Sequence, residues 1–419
     1  MVHGVVGLNW GDEGKGRMVD YFAAEADVVV RFQGGSNAGH TVKNERGDFA
    51  FHCLPSGVCY GNVMNIIAAG AVINPKELLA EIADIESKVG RLNLLVSDRT
   101  ILSLPYHVLQ ETAEEQRLGD KKYGSTLSGI APVYGDKYLK KGIQAGELMY
   151  PEYLRDHVRD VVDYKNFLLA SYGIPALDPE EIYSWLMEHG SRMLPYLGDA
   201  SSRVDDAVEN GKTVLLEAQL GALRDVSHGI YPYTTSSSVL AGYACASIPL
   251  KPSSVSKITG ITKAYSTCVG DGPFVTEISG QTADNIRTTG KEFGAKTGRP
   301  RRIGWFDTVA TKYGCRLQGA DEAVMTCLDV LSGVEELKVC TSYRIGGDTT
   351  MSFPVYPGLV KAEPVYETLP GWTEDISGVR SFDGLPPRAK SYVEFIEDRI
   401  ETKISCVSVG PRRDELFFR

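Results

Sequence analysis

The stretch Val5-Val6-Gly7-Leu8-Asn9-Trp10-Gly11-Asp12-Glu13-Gly14-Lys15-Gly16-Arg17-Met18-Val19-Asp20 decides how the chain reads. An apolar run gives a buried strand, glycines then bracket an acid pair and a lysine, and an amphipathic segment follows. Strand, loop and helix start in that order make a phosphate cradle. Glycine lets backbone N–H groups close around an anion, the helix N-terminus adds partial positive charge, and Lys15 reaches phosphate oxygens. The spacing is not that of the common nucleotide loop, because Gly7 lies too far from Gly14-Lys15 and Gly16 stands where a Ser or Thr would hold magnesium. Another oxygen must bind the metal, and Asp12 is the nearest candidate. The same letters also fit a glycine-rich helix cap with a solvated acid pair, so the rest of the chain has to arbitrate.

At 419 residues the chain can bury a large core, as one extended α/β domain with insertions or as two lobes. A hydrophobic fraction of 43% and a charged fraction of 23% are those of an ordinary globular protein and argue against long disorder. The formal net charge of -10 disfavours nucleic acid and anionic membrane as partners, so an anionic ligand needs a local cluster of Lys and Arg. Eight cysteines lie scattered, with no CxxC pair and no zinc-type spacing, which reads as reduced thiols in a cytoplasmic protein. The chain enters its first strand without a basic leader, and its longest apolar stretch, Ile66 to Ile73, is far short of a membrane span.

After the opening helix, Asp27 to Phe32 is a β-branched strand that runs into a second glycine-rich loop, Gln33-Gly34-Gly35-Ser36-Asn37-Ala38-Gly39-His40-Thr41. Two such loops after two strands lie at the same sheet edge, where open α/β sheets bind ligands. His40 there fits either a solvated ring or a chemical role; its company favours the second. Ile66 to Val72 reads as a further strand, Asn74 caps and Pro75 opens a helix reaching about Val89, and Leu94 to Val96 is the next strand. Strand and helix in alternation predict a mainly parallel sheet covered on both faces.

The polar run Gly119 to Pro132 suits a phosphate lid or a plain mobile loop. Residues 151–210 read as a helical insertion whose aromatics, Tyr164, Phe167, Tyr172, Tyr183 and Trp185, suit packing rather than a binding box. Thr213 to Glu217 returns to the sheet, and the following Thr234-Thr235-Ser236 run holds a phosphate or caps a helix. Val255 to Thr267 and Val324 to Leu331 are strand-like, the latter ending near Asp329, which can accept two hydrogen bonds from a guanine edge or cap a turn. The most basic cluster, Phe293 to Trp305, carries Lys296, Arg299, Arg301 and Arg302 among glycines, and guanidinium forks match carboxylates.

Taken together these blocks resemble the adenylosuccinate synthetase family. The resemblance runs through nearly the whole chain: Trp10 to Gly16, Gln33-Gly34-Gly35, Asn37 to Thr41, Lys263 to Thr267, Thr297-Gly298-Arg299, Leu328 to Leu331 and Tyr366 to Trp372. It implies a large mainly parallel central sheet flanked by helices, like that of P-loop nucleotide hydrolases, in one domain spanning 1–419. It also implies a ligase that joins L-aspartate to inosine monophosphate (IMP), with GTP as phosphoryl donor, Mg2+ as cofactor and a homodimer as the working unit. By the resemblance Asp12 is the general base and, with the backbone of Gly39, the metal contact; His40 and Lys15 serve phosphoryl transfer. Gly11, Glu13, Gly14, Lys15, Gly16, Arg17, Gly39, Thr41, Arg301, Asp329, Ser408 and Gly410 would hold the donor. Asp12, Asn37, His40, Thr126, Lys140, Leu220, Thr235 and Arg299 would hold the acceptor, and Ala295, Lys296, Thr297, Gly298, Arg299 and Arg301 the aspartate.

The chain also departs from the family pattern. Lys140 stands for the arginine that reaches across the dimer, Ser128 for a loop arginine, Leu220 for a glutamine beside the acceptor purine, Lys296 for a threonine, Cys327 for a lysine near the donor base and Cys268 for another arginine. These changes leave open a paralogue with another acceptor such as GMP or dGMP, another amino acid or ATP as donor, or a catalytically silent nucleotide sensor.

Overall fold

The structure is a computed structural model that describes residues 1–37, 39–294 and 298–419. Strand β1 (Val2–Gly7) is buried along its whole length because both of its faces are covered. Val5 packs with Met18 and Val19 of helix α1 (Lys15–Ala23) on one face, while Val2 and Val6 join Ala244 and Ile248 on the other. Around β1 the chain builds a ten-stranded sheet from β2 (Val28–Arg31), β3 (Met64–Ile67), β4 (Leu94–Ser97), β5 (Leu197–Gly198), β6 (Val214–Glu217), β7 (Val255–Lys263), β8 (Glu322–Thr326), β9 (Ile404–Ser408) and β10 (Leu416–Phe418). Their order is β10-β9-β8-β7-β1-β6-β2-β3-β4-β5. Every neighbouring pair is parallel except β9 and β10, as the alternation of strand and helix predicts. The ends of β1, β2 and β6 therefore point their following loops to one edge. Val5 lies in register with Glu217, which brings the β6 terminus beside the glycine-rich loop.

Helix α2 (Pro75–Val89) begins where its sequence says: the Asn74 side chain accepts from the amides of Lys76 and Glu77, at 3.0 and 3.2 Å. Helices α3 (Pro105–Leu118) and α4 (Ile130–Leu139) flank the polar run, and α5 (Pro151–Ala170), α6 (Pro179–Gly190) and α7 (Ala200–Glu209) fill the segment read as helical. That segment also contributes β5, paired with β4, so it is stitched into the sheet and is not purely helical.

Three strand boundaries differ from their sequence reading. Ile66 to Val72 is broken after Ile67, because the Gly70 amide turns to donate to Ser247 Oγ at 2.9 Å and the chain packs on the Phe32 carbonyl. Val255 to Thr267 splits at Lys263, and Ser266–Cys268 pairs antiparallel with Arg302–Gly304 instead. The strand before Asp329 stops at Thr326, since Cys327 is left-handed (φ 60) and Leu328–Leu331 winds into a 3-10 turn. Among the described residues no helix is long and apolar enough to cross a membrane.

Candidate active site at the carboxyl edge of the sheet

The Gly11 to Gly16 loop leaves β1 and enters α1 at Lys15, with Gly14 left-handed (φ 98) as the cap. Two glycines are required by close approach: a Cβ on Gly7 would lie 2.6 Å from Glu13 Oε2 and 2.9 Å from Lys15 Nζ, and one on Gly16 would lie 2.8 Å from His40 Cβ. Glu13 faces inward rather than toward a donor. Its carboxylate accepts from the amides of Asn9 (3.1 Å) and Gly11 (2.8 Å) and pairs with Lys15 at 2.6 Å, both side chains being 2% exposed. Part of the cradle's amide field is thus already spent on an internal carboxylate. Arg17 also departs from its expected place. Its guanidinium donates to Ser408 Oγ at 2.6 Å and to the carbonyls of Gly410, Arg412 and Glu415, so it fastens α1 to the C-terminal loop instead of facing phosphate.

A cavity of about 920 Å³ opens beside this loop, and Asp12, Lys15, Asn37, Gly39, His40 and Thr41 are on its wall. Thr126, Leu220, Thr235 and Arg301 complete it from four other segments. From the 119–132 run, Tyr123 to Thr126 lie on this wall. Tyr164 and Tyr172 also reach it, contrary to a pure packing role, whereas Phe167 is 84% exposed. Asp329, Ser408 and Gly410 lie off this wall, as does Arg17, whose guanidinium binds Ser408 and Gly410. Lys140 is exposed at the end of α4, and Gly298 and Arg299 are exposed outside the cavity wall. Ala295, Lys296 and Thr297 lie outside the described residues.

Within the cavity, Asp12 sits on a left-handed residue (φ 60), and its Oδ2 accepts from Arg301 Nε at 2.9 Å. Arg301 Nη1 donates in turn to Glu292 Oε2 at 2.6 Å, and Glu292 takes Lys263 Nζ at 2.7 Å and the Tyr265 hydroxyl at 2.5 Å. Burial works against the Glu292 charge, yet Lys263 and Arg301 hold its carboxyl below the usual range. His40 opens a short hairpin strand, His40–Asn44, rather than lying in a loop. Its Nδ1 lies 2.6 Å from Glu217 Oε1, and Glu217 further accepts from the Ser56 amide (2.8 Å) and hydroxyl (2.9 Å). Burial opposes the charge of Glu217 too, but the bond from His40, the Ser56 amide and nearby Arg31 hold its carboxyl below the ordinary range. A carboxylate can only accept, so it fixes the hydrogen on Nδ1 and turns Nε2 to the open side.

Two further signs mark this region as functional. Of seven non-glycine residues with positive φ among those described, Asp12, Leu220 and Lys291 are on the cavity wall, Leu127 follows the wall residue Thr126, and Lys140 and Cys327 are positions where the chain departs from the family pattern. Such backbone strain persists where the surroundings enforce it, commonly at binding sites. Among buried polar atoms without a partner, Asn37 Oδ1 and Trp10 Nε1 belong to wall residues, and Arg17 Nε and Asp329 Oδ1 to positions expected to hold the donor; a ligand would supply what these atoms lack. Burial raises the Asp329 carboxyl above its usual range, with Arg17 opposing.

Sequence reasoning missed Glu217, Ser56 and Glu292. An acid closing the apolar run Val214-Leu215-Leu216 at the loop-bearing sheet edge was a usable signal for Glu217; nothing local marks Ser56 or Glu292.

A family model described as adenylosuccinate synthetase matches residues 4–417. The chain belongs to the adenylosuccinate synthetase family. It is 43% identical to the adenylosuccinate synthetase of Dehalococcoides mccartyi over the full length of both chains, and 42% identical to that of Clostridium botulinum over 98% of this chain and 97% of the relative. Its fold superimposes with a TM-score of 0.94 on the fully ligated enzyme from Plasmodium falciparum, at 32% identity and with 100% and 99% of the two chains covered. A cyanophage S-2L succinoaminodeoxyadenylate synthetase bound to dGMP and dATP shares the fold at TM-score 0.63 and 19% identity, over 100% and 95% of the chains. Against the family pattern, Leu220 occupies the cavity wall on a left-handed residue beyond the end of β6, so it faces the site while the preceding Gln219 is buried against Gln33.

Proposed function

We propose that this chain joins L-aspartate to C6 of IMP, converting GTP to GDP and phosphate through a 6-phosphoryl intermediate. The convergence of Asp12, Lys15 and His40 on one cavity with Thr126 and Thr235 carries this reading. A purine C6 carbonyl is a poor electrophile, so its oxygen is phosphorylated first. Asp12 takes the N1 proton, O6 attacks the γ-phosphorus, the bond to the β-phosphate oxygen breaks and GDP leaves. The aspartate amine then attacks C6 and phosphate departs with the C–O electron pair. His40, anchored by Glu217, presents Nε2 to the transferring group, and Lys15 balances its charge. Thr126 and Thr235 hold the acceptor's 5′-phosphate, Asp329 reads the donor base, and Arg301 with the 295–299 loop receives the amino acid.

The donor set fits magnesium. Asp12 and the backbone of Gly39 offer hard oxygens on one wall, and no group of three or more His, Cys, Asp or Glu among the described residues forms a protein cage. Magnesium adopts such sparse protein ligation when phosphates and water complete its octahedron. Held there, it would neutralise charge on the donor phosphates. All eight cysteines are free thiols, which fits a cytoplasmic location.

The test is purified protein with magnesium and aspartate, crossed against IMP, GMP and dGMP and against GTP and ATP, read by phosphate release and product mass. Turnover of IMP with GTP is expected. Turnover with another pair alone would replace the substrate assignment, and silence with every pair would favour the sensor.

A homodimer with shared sites accounts for the surface around Lys140. Tyr138, Leu139, Tyr150 and Tyr153 are all at least 60% exposed on the segments that flank it, an apolar display suited to a second copy. Mixing Lys140→Ala with Asp12→Ala chains should then restore about one quarter of parental activity, because half of randomly paired dimers carry one intact site. No recovery on mixing, with heterodimers verified by mass, would refute the shared site.

A further inference from the structure

Arg224, in the turn after β6, carries a charge that the fold leaves without a counter-ion. It is 9% exposed and on the cavity wall. Its guanidinium donates to the carbonyl of Tyr233, to the carbonyl of Val269 at 2.5 Å and to Cys268 Sγ at 3.1 Å. Two carbonyls and a thiol are dipolar acceptors, and among the described residues no carboxylate oxygen lies within 4.0 Å of the cation. The adjacent Asp225 is spent elsewhere, accepting from the amides of Ser227, His228 and Val239 and from the Ser238 hydroxyl. A buried cation held by dipoles alone is stabilised most by an anion arriving in the cavity. The backbone points the same way: the Arg224 carbonyl accepts from the Thr235 amide at 2.9 Å, so this residue braces the loop that bears Thr235.

Cys268 is where the family resemblance expects an arginine, and the Arg224 guanidinium lies against its sulfur. We infer that Arg224 is a specificity-determining residue of the acceptor pocket: it supplies from the β6 turn the guanidinium that the family resemblance expects at position 268, and its charge, held by dipoles alone, selects an anionic nucleotide monophosphate. This rests on the assignment of the Thr126 and Thr235 wall to the acceptor. The charge lies where three wall segments meet, the β6 turn, the 231–236 loop and the 267–270 turn, so its loss is felt by the acceptor before any other substrate.

The experiment measures IMP binding to the protein by calorimetry and, separately, the KM of each substrate in turnover. Arg224→Met keeps an unbranched apolar stem of similar reach and removes the charge. It should weaken IMP binding and raise the acceptor KM about tenfold or more, with the GTP and aspartate KM values within about twofold. Cys268→Arg alone sets two guanidinium groups against each other and should also weaken IMP binding. The double variant Arg224→Met with Cys268→Arg returns one cation to the same point and should recover affinity to within about threefold of the parent. Unchanged IMP affinity in Arg224→Met, an equal rise in all three KM values, or a double variant no better than Arg224→Met would overturn the inference. If Arg224→Met loses its thermal transition, the double variant decides: recovered folding with IMP affinity supports the swap, and failure of either refutes it. A parent that binds IMP without turnover would refute the proposed reaction and leave this inference to the binding arm.

Discussion

Replacement of Asp12 by asparagine is expected to lower the turnover number about a thousandfold or more while leaving the fold in place. Asparagine tolerates the left-handed backbone that Asp12 adopts, so the loop geometry survives the change. What is lost is the charge that, in the proposed reaction, accepts the ring proton and contacts the metal. The carboxylate is 33% exposed and pairs with Arg301, itself 13% exposed, at 2.9 Å, and the side-chain oxygen of asparagine can still accept from Arg301 Nε. Arg301 also keeps its second partner, Glu292, at 2.6 Å. Thermal unfolding should therefore move little while phosphate release and product formation collapse together. Binding of IMP without magnesium should stay within a few-fold of the parent. An asparagine variant that turned over within tenfold of the parent would remove Asp12 from the chemistry and leave it as an ion-pair partner of Arg301.

Much of this site could be read from local letters, because its parts are local. Strand, glycine-rich loop and lysine at a helix start form one continuous segment, and their physics needs no distant partner. The Asn74-Pro75 helix start is of the same kind. Contacts that cross the sheet are different. His40 meets Glu217 across 177 residues of chain, and Arg301 meets Asp12 across 289, so neither pairing has a spacing to betray it. Side-chain direction was equally hidden: Arg17 sits in the phosphate loop's sequence but turns to the C-terminal carbonyls, and Glu13 turns inward to its own amides. Breaks in strands depended on tertiary acceptors, as at Gly70, whose amide is claimed by Ser247. Leu220 illustrates the last limit. A regular strand would have alternated it with Gln219, but the backbone leaves the β region there, and only the fold shows which side chain faces the cavity.

Glu217→Gln is expected to lower the turnover number about a hundredfold or more, although Glu217 is fully buried and does not line the cavity. In the parent, one carboxylate accepts from His40 Nδ1, the Ser56 amide and the Ser56 hydroxyl. An amide cannot satisfy all three, since its NH2 end must face a donor unless it turns that end to His40. Turned so, it donates to Nδ1, moves the ring hydrogen to Nε2 and removes the negative charge that sits behind the ring. In the proposed reaction His40 then meets the phosphoryl group with its tautomer reversed and no carboxylate behind it, so the geometry and charge that fit it to the step are lost. Glu217→Asp keeps the charge but shortens the reach by one methylene, so its rate should fall between parent and Gln variant. The pH dependence of stability gives a second readout with a definite sign. Because the folded state holds the Glu217 carboxyl below its ordinary range, its contribution is complete above that range and disappears as pH falls through the lowered value. Thermal midpoints of the parent should drop more steeply on acidification than those of Glu217→Gln, which has no such proton to bind. A Gln variant with parental turnover would show that His40 works without its anchor, and an equally steep acid limb would show that the buried carboxylate is not the group whose protonation loosens this edge of the sheet.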